Sequence, residues 1–296
     1  MSLSIVIITY NEESNLPRTL QSVQPLVENG QGEIILVDSH STDRTVEIAK
    51  SFGAKVFVED WKGFAAQKNS AIGKAAGDWI LSLDADEEVD PALAESISSM
   101  LQGFEKVNAY AATKGYRPRD VHGNFQIEHE VSDRMSLDID CFFDGCFLRR
   151  KNFFLGRWIK HGGFWPDPKL RLFRRDAGRF EDRAVHEDVK LDGIAATDIG
   201  RGALLHHAYP TLSSYIEHMN RYSTLGAEMA VAKGYRGFSF IDIVLRPIAT
   251  FVYNYIFRLG FLDGREGLLL HLYHSVYVSW KYAKAWEMTR GRPSGT

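Results

Sequence analysis

Ile80-Leu81-Ser82-Leu83-Asp84-Ala85-Asp86-Glu87-Glu88 is a short apolar run that ends on two aspartates one residue apart. A run of this length closed by acids reads as a buried strand carrying carboxylates at its C-terminal end. On an extended chain Asp84 and Asp86 project to the same side, because side chains alternate along a strand. Oxygen ligands so placed suit Mg²⁺ or Mn²⁺, which bind through one or two carboxylates while substrate phosphates fill other positions. Acidic pairs also occur in strand-to-helix loops that bind nothing, so the neighbouring segments decide the reading.

Working outward, Ser4–Thr9, Glu33–Val37, Lys55–Val58 and Trp79–Leu83 are β-branched or aromatic runs separated by segments rich in Leu, Ala, Glu and Lys. This alternation predicts βαβ units, a mostly parallel sheet and an α/β fold. Polar residues cluster just after three of the strands: Thr9-Tyr10-Asn11-Glu12, Asp38-Ser39-His40-Ser41-Thr42-Asp43, and Asp84-Ala85-Asp86. In open α/β sheets ligands bind beyond the carboxyl ends of the strands, so these loops are expected to converge on one crevice. Ser41 to Asp43 also suit the N-terminus of a helix predicted over Arg44–Phe52. Asp38 directly follows Ile34–Val37, and a buried strand-end carboxylate needs a hydrogen-bonding or charged partner. Lys68 and Asn69, in a helical pattern just ahead of the acidic strand, are placed to touch a base or a diphosphate.

The chain has 296 residues, enough for one large α/β domain plus an appendage. Its net charge of −3 says little, but the distribution does. Residues 149–175 hold nine Lys or Arg against Asp167, whereas residues 120–147 hold seven acids against Arg134. The basic segment suits a phosphate or another anion, or forms a solvated face. No nucleic-acid partner is expected. Cys141 and Cys146 lack a companion pair at zinc spacing and read as reduced thiols, which favours a cytoplasmic location. The N-terminus has no basic leader and its apolar run is too short for a signal peptide, so it reads as a first strand. No Gly-x-Gly-x-x-Gly follows that strand, which disfavours a dinucleotide-dependent dehydrogenase.

Four segments in order, Ile7-Ile-Thr-Tyr-Asn-Glu-Glu13, Leu36-Val-Asp-Ser-His-Ser-Thr-Asp-Arg-Thr45, Gln67-Lys-Asn69 and Gly77-Asp-Trp-Ile-Leu-Ser-Leu-Asp-Ala-Asp-Glu87, resemble the family 2 glycosyltransferases of the GT-A fold. The resemblance covers residues 5–87 and implies a nucleotide-diphosphate-sugar donor, with a UDP-hexose favoured. It places Thr9, Asn11 and Glu12 near the nucleoside, Asp38 on the base, Asp84 beside the nucleoside, and Asp86 on the metal that bridges the diphosphate. Further on, Arg150-Lys-Asn-Phe-Phe-Leu-Gly-Arg-Trp-Ile-Lys-His-Gly-Gly-Phe-Trp-Pro-Asp167, Leu170-Arg-Leu-Phe-Arg-Arg175 and Val185-His-Glu187 resemble the bacterial lipopolysaccharide-core β-glucosyltransferase subgroup. An acidic stretch over 118–147 departs from that pattern and bears on the acceptor.

Inverting sugar transfer needs a base for the acceptor hydroxyl. By the resemblance that base is Glu187, with Asp188 the rival; adjacent side chains on an extended chain point opposite ways, so one of the two faces the site. His206 or His207, after an apolar run, is a candidate imidazole ligand of the metal or a buried histidine bonded to a carbonyl; His206 is taken as the ligand. Trp158, Phe164 and Trp165 suit stacking on a sugar ring, and Lys160 and Arg171 suit an acidic acceptor. Gln-x-x-Arg-Trp after the base, usual in processive synthases, is absent: Phe154 stands where the Gln would be, and Arg157-Trp158 precedes Glu187.

Beyond Phe238, Ile241–Leu262 and Leu268–Trp286 are apolar and aromatic but interrupted by Arg246, Pro247, Arg258, His271, His274 and Lys281, so neither spans a bilayer. With eleven bases against six acids after residue 200, they suit helices lying in a membrane interface, or a hairpin packed on the protein. The expected organisation is a GT-A catalytic domain over 1–235, a helical membrane-interface appendage over 236–290 and a disordered tail over 291–296. The expected activity is metal-dependent, inverting, non-processive hexosyl transfer to a lipid-linked glycan at the inner face of the cell membrane. Transfer to a polyprenyl phosphate and a non-catalytic nucleotide-sugar- or glycan-binding role are the alternatives.

Overall fold

The computed structural model describes residues 1–28, 30, 32–113, 143–181, 188–196 and 200–290, with side chains of the helix ending at 113 described as far as 106. The chain divides into two compact units. One holds Met1–Arg149, Pro168–Arg183 and Glu187–Leu204; the other holds Arg150–Asp167, Ala184–His186 and Leu205–Thr296.

In the first unit the elements run β1 (Leu3–Thr9), α1 (Leu16–Val27), β2 (Gly32–Asp38), α2 (Thr45–Ser51), β3 (Lys55–Val58), α3 (Phe64–Lys74), β4 (Trp79–Asp84), β5 (Glu87–Val89) and α4 (Pro91–Thr113). The four predicted strands are all present, each within a residue of its expected bounds. β1 pairs in parallel with β2 and β4, and β2 with β3, through registers such as Thr9 opposite Asp38 and Ile8 opposite Asp84. Every strand of this set therefore ends at the same edge, which places Thr9, Asp38 and Asp84 side by side. Alternation along β1 sends Leu3, Ile5 and Ile7 into one core with Leu16, Leu20 and Val23 of α1 and Ile97 of α4. Val6 goes to the opposite core with Ile35, Val37, Ile80 and the α3 residues Ala71 and Ile72. Burial on both faces is why β1 and β2 read as nearly unbroken apolar runs.

Gly77, just before β4, donates its N–H to Ser4 Oγ at 2.8 Å. A Cβ there would lie 2.7 Å from both the nitrogen and the hydroxyl of Ser4, so the turn leading into the acidic strand admits only glycine.

The sheet continues through segments remote in sequence. After β6 (Gly145–Leu148), the chain leaves for the second unit through β7 (Arg150–Phe154) and β8 (Arg157–Trp158) and returns as β9 (Lys169–Arg174). β9 pairs antiparallel with both β4 and β6. β10 (Gly178–Phe180) and β11 (Val189–Leu191) form a separate antiparallel ribbon, and β12 (Ala195–Ala196) joins β6 in parallel. The seven-stranded order is β12-β6-β9-β4-β1-β2-β3. This is the mixed, mostly parallel, helix-covered sheet of the GT-A fold.

The second unit contains β7, β8, β13 (Leu204–Tyr209), α5 (Leu212–Ala232), α6 (Arg246–Val252) and α7 (Gly264–Thr289), with π-helical turns at Ile241–Leu245 and Tyr253–Phe257 and a 3₁₀ turn at Gly260–Asp263. Thr211 caps α5 by accepting from Ser214 N–H, with Ser214 reciprocating. Lys284 of α7 clamps α5 by donating to Asn220 Oδ1 at 2.6 Å, Ser223 Oγ at 2.8 Å and Thr224 Oγ1 at 2.9 Å. α5 thus packs with the C-terminal helices. No helix among the described residues is long and apolar enough to cross a membrane.

His271 of α7 is buried, and desolvation, with His274 and Arg258 adding to it, pushes its imidazole down to about 4 against the opposing pull of Asp263. A base buried neutral contributes stability above its ordinary value of 6.5, and this is lost as the pH falls from there towards 4. Between pH 7.5 and 5.5 the wild-type protein is expected to lose on the order of 1 kcal/mol more unfolding free energy than His271→Gln, by urea titration. Equal losses would contradict the burial of a neutral ring.

Candidate functional site

The carboxyl edge of the parallel strands is built from loops that tie to one another through side chains. Thr9 Oγ1 donates to Asp38 Oδ1 at 2.8 Å. Ser41 donates to the same carboxylate twice, from Oγ at 2.5 Å and from its N–H to Oδ2 at 2.8 Å. Asp38 thereby gains the partners that a buried strand-end acid requires. Asn11, held at φ 55°, accepts from Thr42 N–H through Oδ1 at 2.8 Å and donates its own N–H to Ser41 Oγ at 2.8 Å. Glu12 N–H donates to Thr45 Oγ1 at 2.7 Å. Asp43 accepts from Thr45 N–H at 3.0 Å, so an acid of the predicted cap does serve the start of α2. The first two loops are one hydrogen-bonded platform.

The third loop adds the charges. Asp84 closes β4, with Oδ1 2.8 Å from the ammonium of Lys68 on α3 and Oδ2 2.5 Å from Arg171 Nη2 on β9. Arg171 also reaches Glu87 Oε1 at 3.1 Å, and Glu87 in turn accepts from Asp84 N–H at 3.1 Å. Lys68, Glu87 and Arg171 are buried. Burial opposes the guanidinium charge, yet Asp84 and Glu87 hold Arg171 above its ordinary value. The strand-alternation argument for Asp84 and Asp86 does not survive here: β4 ends at Asp84, and Ala85 and Asp86 form a turn. The two acids are linked by charge instead. Desolvation first, then Asp84, Glu87 and Glu12, push the Asp86 carboxyl up to about 7. Burial likewise raises Glu12 against a hydrogen bond from Asn15, with Asp43 and Asp84 adding to the rise.

Negative charge therefore accumulates at Asp86, where a divalent cation would relieve it. Among the described residues no cluster of three or more His, Cys, Asp or Glu forms a ready-made metal cage. The donor set fits a cation held by few protein oxygens with diphosphate oxygens supplying the rest, the usual habit of Mg²⁺.

The other predicted residues are distributed as follows. Asn69 donates to Phe180 O at 2.8 Å and accepts from Phe180 N–H at 3.0 Å, which pins β10 to α3. In the second unit Lys160 lies over the Trp158 ring with Nζ 4.5 Å from its centre, and Trp158 meets Trp165 edge-on at 5.2 Å. His206 Nδ1 lies 2.7 Å from Asn152 Oδ1 and therefore donates to it, since the amide oxygen only accepts. Asp188 is exposed, and its carbonyl accepts from Glu181 N–H at 3.1 Å. Glu187, His186, Cys141, the acidic stretch as far as residue 142 and the tail 291–296 lie outside the described residues. Cys146 is a buried free thiol.

Glu87 is the residue that sequence reasoning missed. The density Asp84-Ala-Asp-Glu-Glu88 carried a signal, because acids crowded beside an apolar strand require a buried cation, and the basic segment over 149–175 was available to supply one.

The model of the family described as "Glycosyl transferase family 2" matches residues 4–179. A lipopolysaccharide core biosynthesis glycosyltransferase, LpsC of Rhizobium meliloti (strain 1021), is 27% identical over 301 residues, 97% of this chain and 93% of that protein. An uncharacterized glycosyltransferase of Rickettsia typhi, RT0209, is 44% identical over 95 residues, 32% of this chain and 31% of its own length. Among solved structures, S. aureus TarS 1–349 in complex with UDP aligns with 96% of this chain and 90% of its own, at 13% identity and a TM-score of 0.44.

Proposed function

The chain belongs to glycosyl transferase family 2, and from that premise we propose that it moves a hexose from a nucleotide-diphosphate sugar, with inversion and with a divalent cation, to a lipid-linked glycan of the lipopolysaccharide-core type. The observation that carries the donor half is the set of acids around Asp86 at the carboxyl edge of the sheet, with Asp84 held between Lys68 and Arg171. The acceptor half rests on the likeness of nearly the whole chain to a lipopolysaccharide core glycosyltransferase.

In this reading Thr9, Asn11 and Glu12 line the nucleoside, Asp38 takes the base with the oxygen capacity left beside Thr9 and Ser41, and Asp84 sits beside the nucleoside. Lys68 and Asn69 are assigned to the donor, Asn69 by fixing β10. Asp86 holds Mg²⁺ or Mn²⁺, and His206 is the candidate imidazole ligand. The bound cation supplies Lewis-acid neutralisation of the charge that grows on the leaving diphosphate. Arg171 balances Asp84 and Glu87, so its first task is donor-side charge; a direct contact with an acidic acceptor is the second role proposed for it. Lys160 and Trp165 hold the acceptor. UDP-hexoses are the donors to test first.

Glu187 takes the acceptor proton as the hydroxyl attacks from the face opposite the diphosphate. Glu187→Gln is expected to lower kcat by about 10²–10⁴ with donor affinity unchanged, as for loss of a general base. Asp188→Asn is expected to cost less than about tenfold. Single-turnover assays of both variants decide the assignment, and the reverse ranking would transfer the role to Asp188. The anomeric configuration of the product, read by NMR, tests inversion.

For location we propose peripheral attachment at the cytoplasmic face of the membrane through the C-terminal helices. Phe238, Phe240, Ile241, Ile248, Ile256 and Phe257 are all more than half exposed, and Phe257 reaches 72%. Arg246 and Arg258 lie within the same stretch, as interfacial helices on anionic lipid require. Because α7 clamps α5, removing everything after residue 235 would strip a packed face, and surface substitution is the cleaner test. Phe240→Ser, Ile248→Ser and Phe257→Ser together are expected to weaken co-sedimentation with phosphatidylglycerol vesicles by at least about a hundredfold, given roughly 1.5–3 kcal/mol per fully buried side chain discounted for partial insertion. Unchanged co-sedimentation would remove the interfacial assignment.

A further inference from the structure

The loop between β8 and Asp167, which carries Lys160 and Trp165, is fastened to the C-terminal helical segment by one acid. Asp263 ends the 3₁₀ turn at Gly260–Asp263 and is 2% exposed. Its Oδ1 accepts from Lys160 N–H at 3.1 Å, and its Oδ2 accepts from His161 N–H at 2.8 Å. His161 Nδ1 lies 3.0 Å from Oδ1. One carboxylate thus meets two successive backbone amides and a ring nitrogen. Charge-assisted bonds of this kind are among the strongest that a loop can make.

Steric fit completes the attachment. Gly162 N–H donates to Arg258 O at 2.9 Å, which brings the loop against the turn that leads to Gly260. The buried ring of His271 sits against both glycines: a Cβ on Gly162 would lie 2.0 Å from its Cε1, and one on Gly260 would lie 2.3 Å from its Nε2. Among the described residues neither ring nitrogen has a hydrogen-bond partner, and the ring packs with Phe164 edge-on at 5.9 Å. At Gly163 the Arg258 guanidinium occupies the space a side chain would need. The same turn carries Phe261 and Leu262 and follows Phe257 and Leu259, all exposed.

We propose that Asp263 is a positioning residue that fixes the backbone of the acceptor loop, Lys160 to Trp165, to the exposed apolar C-terminal segment, so that the surface meeting lipid and the loop meeting the glycan are one rigid piece. The inference rests on the acceptor role given above to Lys160 and Trp165. It gives a restraint to a loop bearing two glycines at φ 67° and 90°, residues whose backbone freedom is the most costly to fix. It also explains why an acid, rather than an amide, ends the turn: three donors converge on it.

The test uses the full-length chain and the variants Asp263→Ala and Asp263→Asn. Hydrogen exchange is followed at the amides of Lys160 and His161, UDP affinity is measured by calorimetry, and transfer is measured onto a truncated-core lipopolysaccharide in detergent micelles. Asp263→Ala is expected to speed exchange at the two amides at least tenfold, raise KM for the lipopolysaccharide at least tenfold, and leave both UDP affinity and kcat within twofold. Asp263→Asn, which keeps one oxygen acceptor, is expected to recover part of the KM. Unchanged exchange, or an unchanged KM with faster exchange, overturns the proposal; so does a parallel fall in UDP affinity and kcat, which would mark Asp263 as a general strut. If wild-type protein binds no nucleotide, the glycosyl-transfer reading fails by itself, while the exchange measurement still decides whether the loop is fastened as described.

Discussion

Asp86→Asn is expected to abolish metal-dependent transfer, with a loss of at least about a thousandfold, and at the same time to make the protein more stable. The first effect follows from removing the one charge best placed to hold the cation that offsets the leaving diphosphate, a role that supplies several kcal/mol of transition-state stabilisation. The second follows from the position of the carboxyl. Desolvation and the negative charges of Asp84, Glu87 and Glu12 raise it from 3.8 to about 7. An acid raised in the folded state penalises folding above its unfolded value, and the penalty grows from about pH 4 until it is complete above about pH 7. Asparagine carries no such penalty. In metal-free buffer at pH 8 the variant is expected to gain on the order of 1–2 kcal/mol of unfolding free energy, a figure discounted because Asp86 is only partly buried, and at pH 4 to gain little. Urea titrations at the two pH values, beside activity assays, check both halves. A variant that loses activity by unfolding would break the link between strain and function.

Arg171→Met is expected to carry the largest stability loss, about 3–5 kcal/mol, because it leaves Asp84 and the buried Glu87 facing each other without their shared cation. Methionine fills much of the volume of the arginine stem, so the loss reports charge rather than cavity. The double variant Arg171→Met with Glu87→Gln is expected to recover at least half of it, since two partners of one network do not add. Arg171→Lys is expected to recover less, because an ammonium lacks the planar fork that reaches both carboxylates. A loss below about 1 kcal/mol for Arg171→Met would mean that the triad is solvated in solution.

What could be read from the sequence follows the range of the interactions that produce it. β1, β2 and β4 were legible because burial on both faces writes itself as local apolar runs, the exposed edge strand β3 because its residues are β-branched and aromatic, and the polar clusters after β1, β2 and β4 because parallel strands end together. The turn at Ala85-Asp86 was not, since a two-residue departure from extended geometry leaves no periodic trace. Contacts between residues remote in the chain were equally silent. Arg171 meets Asp84 because β9 pairs antiparallel with β4, and Asn69 of α3 meets Phe180 of β10; no local pattern encodes either approach. The interleaving of the two units was hidden for the same reason: β7 and β8 belong to the second unit although they lie between β6 and β9 of the first sheet. Where the apolar C-terminal stretch exceeded the needs of a core, the exposed row from Phe238 to Phe257 made that surplus visible.

The donor site is tested most directly by calorimetric titration of UDP-, GDP- and ADP-sugars into the wild-type protein and Asp86→Asn, each with Mn²⁺ or Mg²⁺ and again with chelator. Binding of one nucleotide class to the wild type, weakened at least tenfold by chelator and absent from the variant, is the predicted result. Equal binding with and without chelator, or no binding of any nucleotide sugar at millimolar concentration, would contradict it.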